Sequence, residues 1–512
     1  MKLKWAAAIL APVLVLVVAD GGLRGERESI QARLRRHVVS MPADSAAGRR
    51  AFTEADSLTR QYIRDRFAEY GLEPAVPGGG LFQAFPRLWR FRTAPTNTIM
   101  VRGKGASWSL RCPDDYVVHP CSGSGAVTGK VAFIGYGIQS PVNGYDDFAR
   151  VDCADKIVIC YLVTPTHIDK NIRKMAWRLR YLEKLARIDS LGGRAVIFVY
   201  PASYVKTCNK LEDYTRSTRV ADVGRQAIPV IRITHDALER MMNAAGVDIS
   251  SVEKELESAT ASRAFVVPGI EVSMDMKVEN VYRDAYNVLG LLEGRDTTRT
   301  IVIGAHYDGP NAEDNASGVA EVLELARLCC GEEGGYDCNL LFAAFGLEEA
   351  GCVGSSYLTK NVPARLGAIK AMVNFDMVGN FRSDTIAVGH TLPVNEWRTI
   401  EAKAASAGVI VRAEHFVGPT DSYSFFKAGI PTFGFYDGRA GDFKHKPDSD
   451  SINRIDWNGM ESALRYGFDL VNAISAREIV LTSVTKDSLV IPLRWKRIMR
   501  LESAKPSSRD SI

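Results

Sequence analysis

His306 and Asp308 stand two residues apart, and Asp314 follows at what reads as a helix start. The apolar run at 301–303 ends at Gly304 and Ala305, so it reads as a strand that delivers these side chains into a loop. Residues two apart lie on the same side of an extended chain. One of them can then bind a metal through an imidazole nitrogen while the other orients that imidazole. Open α/β folds build sites in this way, above the carboxyl ends of their strands. Taken alone, His-x-Asp is also an ordinary surface pair, and Asp-Asn-Ala-Ser an ordinary helix cap.

Three further segments give the motif its context. The apolar run at 340–344 leads to Glu348 and Glu349. Adjacent carboxylates cannot both face the same way, so one can bind a cation while its neighbour points at a water or a substrate. The run at 371–374 leads to Asp376, an acid among apolar residues, which is rarely buried without a partner. A strand-like run at 430–436 is followed by His445. Of eight histidines in the chain, His306 and His445 follow apolar runs in this way.

Two His, two Asp and one Glu as ligands, with a spare Glu, suit zinc ahead of manganese or cobalt. Five ligands exceed the need of one catalytic zinc. They suit two metals about 3.5–4 Å apart that share a carboxylate and activate a water. Glu348 is then the general base. No Ser-His-Asp or Cys-His arrangement competes.

The elements around these positions alternate between strand-like and helix-like over 26–107 and 267–478. That pattern predicts an α/β domain with a mostly parallel central sheet flanked by helices. Between the two parts, residues 108–266 carry short β runs at 131–134, 156–163 and 195–200, and a helix-like run at 172–190. On that run Arg173, Lys174, Arg178, Arg180, Lys184 and Arg187 predict a solvated basic face.

The segments at 287–294, 304–308 (GAHYD), 314–327, 345–355 (FGLEEAGCVGS), 374–379 (NFDMVG), 421–431 and 443–456 agree in order with one family. The chain resembles the M28 family of zinc aminopeptidases, which also includes glutamate carboxypeptidases and glutaminyl cyclases. The resemblance implies two zinc ions per chain. His306 and Asp376 would hold one, Glu349 and His445 the other, and Asp314 would bridge them. Glu348 would be the base, and Asp308 would orient His306. Two departures stand out. Only seven residues separate His306 from Asp314, short for the family, and Ser422 follows Asp421 where many members carry His or Tyr. The region 108–266 resembles the protease-associated (PA) domain inserted in many M28 enzymes, through residues 135–138, 146–148, 155–158 and 192–197.

The expected activity is removal of N-terminal residues from peptide or protein substrates by metal-activated water. A carboxypeptidase would need a cationic clamp, for which Arg382 or Arg439 could serve. The same scaffold could also carry a glutaminyl cyclase, or a binding homologue without chemistry. A net charge of +4 over 512 residues argues against a nucleic-acid partner. Lys2 and Lys4 precede an apolar run at 6–19, interrupted by Pro12, which suits a signal peptide over 1–19 and a secreted or periplasmic protein. The same run could instead stay uncleaved as an anchor, and no further membrane contact is expected. Nine cysteines include Cys112 and Cys121 as a candidate clip. Residues 479–512 read as a polar-ended tail.

Overall fold

The computed structural model describes residues 28–41, 48–78, 80–140, 144–163, 177–205, 211, 226–258, 262–381, 385–393, 396–398, 410–414, 418, 420–436, 452–479, 481 and 484. His445, the segment 1–19, Arg173, Lys174, Arg382, Arg439 and nearly all of the tail lie outside the described residues.

The described residues form two large sheets. The first has nine strands, in the order Glu73–Pro74, Val278–Leu292, Cys338–Phe345, Asp296–His306, Ala368–Phe375, Thr432–Tyr436, Thr385–His390 and Ile410–Glu414, with Phe82–Thr93 also paired to Val278–Leu292. It is mixed. Its centre, from Cys338–Phe345 to Thr432–Tyr436, is parallel as the sequence predicts, and antiparallel pairings flank that centre on both sides.

Central strands are apolar along their whole length because helices cover both faces. Cys338–Phe345 is buried at every position. Alternation splits the neighbouring strand between two cores. Ile301 and Ile303 pack with Val319 and Leu323 of helix Ala316–Cys330 and Leu464 of helix Trp457–Ser475. Val302 packs on the other side with Leu358 of helix Val353–Lys360 and Phe425 of helix Asp421–Lys427. Each such side chain, fully buried, contributes about 1.5–3 kcal/mol.

Two N-terminal helices join the first core. Ile30–Ser40 is capped by the Ser29 hydroxyl and Glu54–Glu69 by that of Thr53. Leu34, Ile63 and Phe67 are fully buried there. Glu324 ties helix Ala316–Cys330 to the first of them, accepting from Arg33 at 2.8 Å and meeting His37 at 3.2 Å. Burial works to raise the Glu324 carboxyl, but His37, Arg33 and Arg327 outweigh it and hold it at about 2.

The second sheet has eight strands, spread in sequence from Thr98–Gly103 to Phe265–Met276. Strand Thr98–Gly103 thus belongs to this sheet, paired with Phe265–Met276. Its helix Trp177–Ser190 corrects one expectation. Arg187 is exposed, but Lys184 is buried and donates to the carbonyls of Tyr161 at 2.6 Å and Val163 at 2.9 Å. An ammonium that caps carbonyl groups can be buried where a solvated one would stay outside. The cysteine clip is absent. Cys112 is exposed, Cys121 is buried and lies 2.9 Å from His119 Nδ1, and both are free thiols. Among the described residues no helix is long and apolar enough to cross a membrane.

Candidate metal centre

Three neighbouring parallel strands end at one place. Register sets His306 opposite Phe345, and Gly304 opposite Asn374. The residues just beyond these ends are therefore neighbours: His306 itself, the Glu348–Glu349 pair and Asp376. Two turns hold unusual backbone here. Leu347, before Glu348, has φ 61°, and Met377, after Asp376, has φ 57°. Non-glycine residues in this left-handed region are uncommon and cluster at functional turns.

His306 Nε2 lies 3.3 Å from Asp314 Oδ1 and 3.3 Å from Asp376 Oδ1. One ligand atom from each of the three residues lies within 4.8 Å of the others. A tetrahedral zinc with bonds of ~2.0–2.1 Å keeps its ligand atoms about 3.3–3.4 Å apart, so this donor set fits that ion. His306 is 1% exposed and the Asp376 side chain 12%.

The other imidazole nitrogen, Nδ1, sits 2.6 Å from the backbone carbonyl of Asp308. Nδ1 therefore donates its proton to that carbonyl, and Nε2 is the nitrogen that faces the carboxylates. Contact with Asp308 thus runs through the main chain, while its Oδ1 stands 3.9 Å away. The Asp308 carboxylate instead accepts from the backbone N–H of Glu348 at 2.9 Å and of Glu349 at 3.4 Å. One residue therefore ties the His306 strand to the acidic turn of the next strand.

Asn315 ties Asp314 to the third strand. Its Nδ2 donates to the Phe375 carbonyl at 2.9 Å, and its Oδ1 accepts from Gly318 at 3.0 Å and Met377 at 3.1 Å. The same oxygen caps helix Ala316–Cys330. Asn287 fixes the acidic turn from behind, accepting from the Gly346 N–H at 3.2 Å.

Negative charge accumulates in this buried place. Burial raises Glu348 well above its ordinary value; Asp376, Asp421 and Glu349 raise it further, and His306 opposes them. Glu349 is pushed up to about 8 by desolvation and by Asp314, to which it also hydrogen-bonds. Burial works to lower His306, yet Asp376, Glu348 and Asp314 outweigh it and hold the imidazole well above its usual range. A cation bound among these carboxylates would offset their mutual repulsion.

One further acid belongs to this cluster, and its sequence context assigns it no role. Asp421, fully buried at the start of helix Asp421–Lys427, is raised to about 7 by desolvation, against His306 and Ser355, with Asp376 and Asp308 adding to the rise. An acid in the apolar company of Phe425 and Phe426 was the available signal.

Comparison with known proteins bears on this region directly. Residues 287–470 match the model of Peptidase family M28. That span is similar to an M28 peptidase domain. An aminopeptidase of Pseudomonas aeruginosa is 34% identical over 119 residues, which cover 22% of this chain and 22% of that protein. Leupeptin-inactivating enzyme 1 of Streptomyces exfoliatus is 32% identical over 159 residues, covering 30% of this chain and 36% of that enzyme. The chain thus spans well under half the length of these curated relatives. The fold is similar to that of a solved aminopeptidase from Aneurinibacillus sp. strain AM-1, with a TM-score of 0.52 and 19% identity, over 90% of this chain and 97% of that one. The matched span contains His306, Asp308, Asp314, Glu348, Glu349 and Asp376.

Proposed function

We propose that the chain is a zinc-dependent aminopeptidase, secreted or periplasmic, that removes N-terminal residues from peptides with two zinc ions. The observation that carries this reading is the pair of carboxylate oxygens 3.3 Å from His306 Nε2, beside the Glu348–Glu349 turn of an M28 domain. Aminopeptidase relatives support the exopeptidase part of it. His306 and Asp376 would hold one zinc, and Glu349 and His445 the other. Asp314 would serve both, a role that suits its place between His306 and Glu349.

Bound there, zinc polarises the scissile carbonyl and makes the attacking water more acidic. The remaining work falls to the chain. Glu348 takes the water's proton and passes it to the leaving amine. Its place beside Glu349, on the turn that Asp308 holds against the His306 strand, suits that role. Asp308 holds the His306 ring through its carbonyl and the acidic turn through its carboxylate. We assign the eight-stranded sheet to the PA-like insert, which would limit what reaches the centre.

The test is metal content by elemental analysis on the purified chain, with release of aminoacyl-anilides measured on the same sample. About two zincs per chain with chelator-sensitive release is expected. One zinc without release would point to a cyclase, to be tried on a peptide with N-terminal Gln. No metal and no release after zinc is added back would end the enzyme reading.

A further inference from the structure

Arg49 is a large, fully buried side chain, 1% exposed, far in sequence from the metal centre. Its guanidinium donates to three main-chain carbonyls of one loop. Nε reaches the Tyr307 oxygen at 2.9 Å, and Nη2 reaches the Asn311 oxygen at 2.8 Å and the Asp314 oxygen at 3.2 Å. Its own backbone N–H donates to the Gly309 carbonyl at 2.9 Å. One residue therefore bonds to four carbonyls between His306 and Asp314.

Contact between this arginine's turn and the loop is close. Gly48, with φ +59°, has no room for a side chain: a Cβ there would fall 2.5 Å from Pro310 Cα and 2.6 Å from the Gly309 oxygen. Within the loop, a Cβ on Gly309 would fall 2.4 Å from the Asp314 oxygen, and Asn311 N–H closes the turn onto that same oxygen at 3.0 Å. The loop is pressed against Arg49 on one side and against itself on the other.

The physics of burial says why an arginine sits there. A buried guanidinium costs several kcal/mol in lost hydration unless its donors are satisfied. Its planar fork carries five donors in fixed directions, so it can hold several acceptors at set spacings. The acceptors here bracket the site. Tyr307 follows His306, and Asp314 is the residue whose carboxylate must return to within 3.3 Å of His306 Nε2. Only seven residues make that return.

We propose that Arg49 is a positioning residue for the metal centre: by bonding the Tyr307, Asn311 and Asp314 carbonyls it fixes the span between His306 and Asp314. This rests on the two-zinc reading of the same site. Its consequence is a zinc affinity set partly by a residue that touches no metal, as residues supporting a ligand from behind commonly do.

The experiment uses the full chain, stripped of metal and titrated with zinc by equilibrium dialysis, as wild type, Arg49→Lys and Arg49→Ala. Thermal unfolding in chelator runs beside it. Arg49→Ala is expected to lose about tenfold to a hundredfold in zinc affinity. Arg49→Lys keeps the charge but lacks the fork, and should fall between the two. Millimolar guanidinium should restore part of the affinity of Arg49→Ala and leave wild type unchanged. A residue that merely supports the fold would lower the metal-free unfolding temperature without moving the zinc affinity of folded protein, and that pattern overturns the proposal. So does an Arg49→Lys affinity within twofold of wild type, a result that stands even where Arg49→Ala does not fold. Wild type that binds no zinc overturns the two-zinc reading itself, and this inference with it.

Discussion

Two buried histidines, one in each sheet's region, have opposite chemistry. His306 is 1% exposed and His119 4%. Each has a close partner at Nδ1, the Asp308 carbonyl at 2.6 Å for His306 and the Cys121 sulfur at 2.9 Å for His119. Burial works to lower both imidazoles. Around His306 the carboxylates of Asp376, Glu348 and Asp314 reverse that effect and hold it well above its usual value. Around His119 the rings of Tyr181 and Phe198 stand within 5.1 and 5.5 Å, and Arg232 adds to the burial effect, so it falls to about 3. A histidine's burial therefore says little about its role. The charge of its neighbours decides between a ligand and a packed ring.

The largest expected effect comes from removing the His306 ring. His306→Ala should lose zinc and with it all measurable release of aminoacyl-anilides, read by elemental analysis and assay on one sample. Two zincs retained in that variant would break the comparison. Next comes the acid beside the ring. Glu348→Gln should keep its metal and lose about a hundredfold to ten-thousandfold in turnover; near-normal turnover in a zinc-loaded variant would remove Glu348 from the role of base.

The smallest effect belongs to His119 and appears in stability alone. Its folded imidazole sits near 3 and its unfolded one near 6.5, so the unfolded chain binds a proton that the folded chain refuses. The stability this ring contributes is full above about pH 6.5 and is lost as pH falls from there toward 3. Between pH 6 and 4, wild type should lose about 1.4 kcal/mol per pH unit more than His119→Gln, measured by urea unfolding. Parallel slopes would mean that His119 takes up its proton inside the fold.

The strand ends of the site were legible because each apolar run is followed within a few residues by its metal-capable side chain. That is local information, carried by an unbroken apolar run and the polar residue that ends it. What was not legible came from long range or from the main chain. Arg49 acts on carbonyls, which every residue has, and its Nε contact with Tyr307 spans 258 positions of sequence. Asp308 was expected beside His306, but spacing alone does not tell whether the carbonyl or the carboxylate makes the contact. Lys184 sits in a basic run that reads as a wet face, and only the folded chain reveals the carbonyls of Tyr161 and Val163 above it. The antiparallel flanks of the first sheet escaped for a related reason: a strand's direction depends on where its partner lies, not on its own residues.

The nesting of one sheet inside the other has a consequence for how the protein is made. Every strand of the eight-stranded sheet has been synthesised by Met276, whereas the nine-stranded sheet waits for its last covering helix, Trp457–Ser475. At roughly 5–20 residues per second, the inner unit has about ten to forty seconds to fold before that helix leaves the ribosome. Until the strands Val278–Leu292, Asp296–His306 and Cys338–Phe345 follow, Leu34, Ile63 and Phe67 have no sheet to cover them. A nascent chain arrested shortly after Met276 should give a protease-resistant fragment from the inner sheet, with residues 30–69 cleaved; protection of 30–69 at that stage would refute this order. The first sticky surface a chaperone meets is then the one that later packs against the nine-stranded sheet.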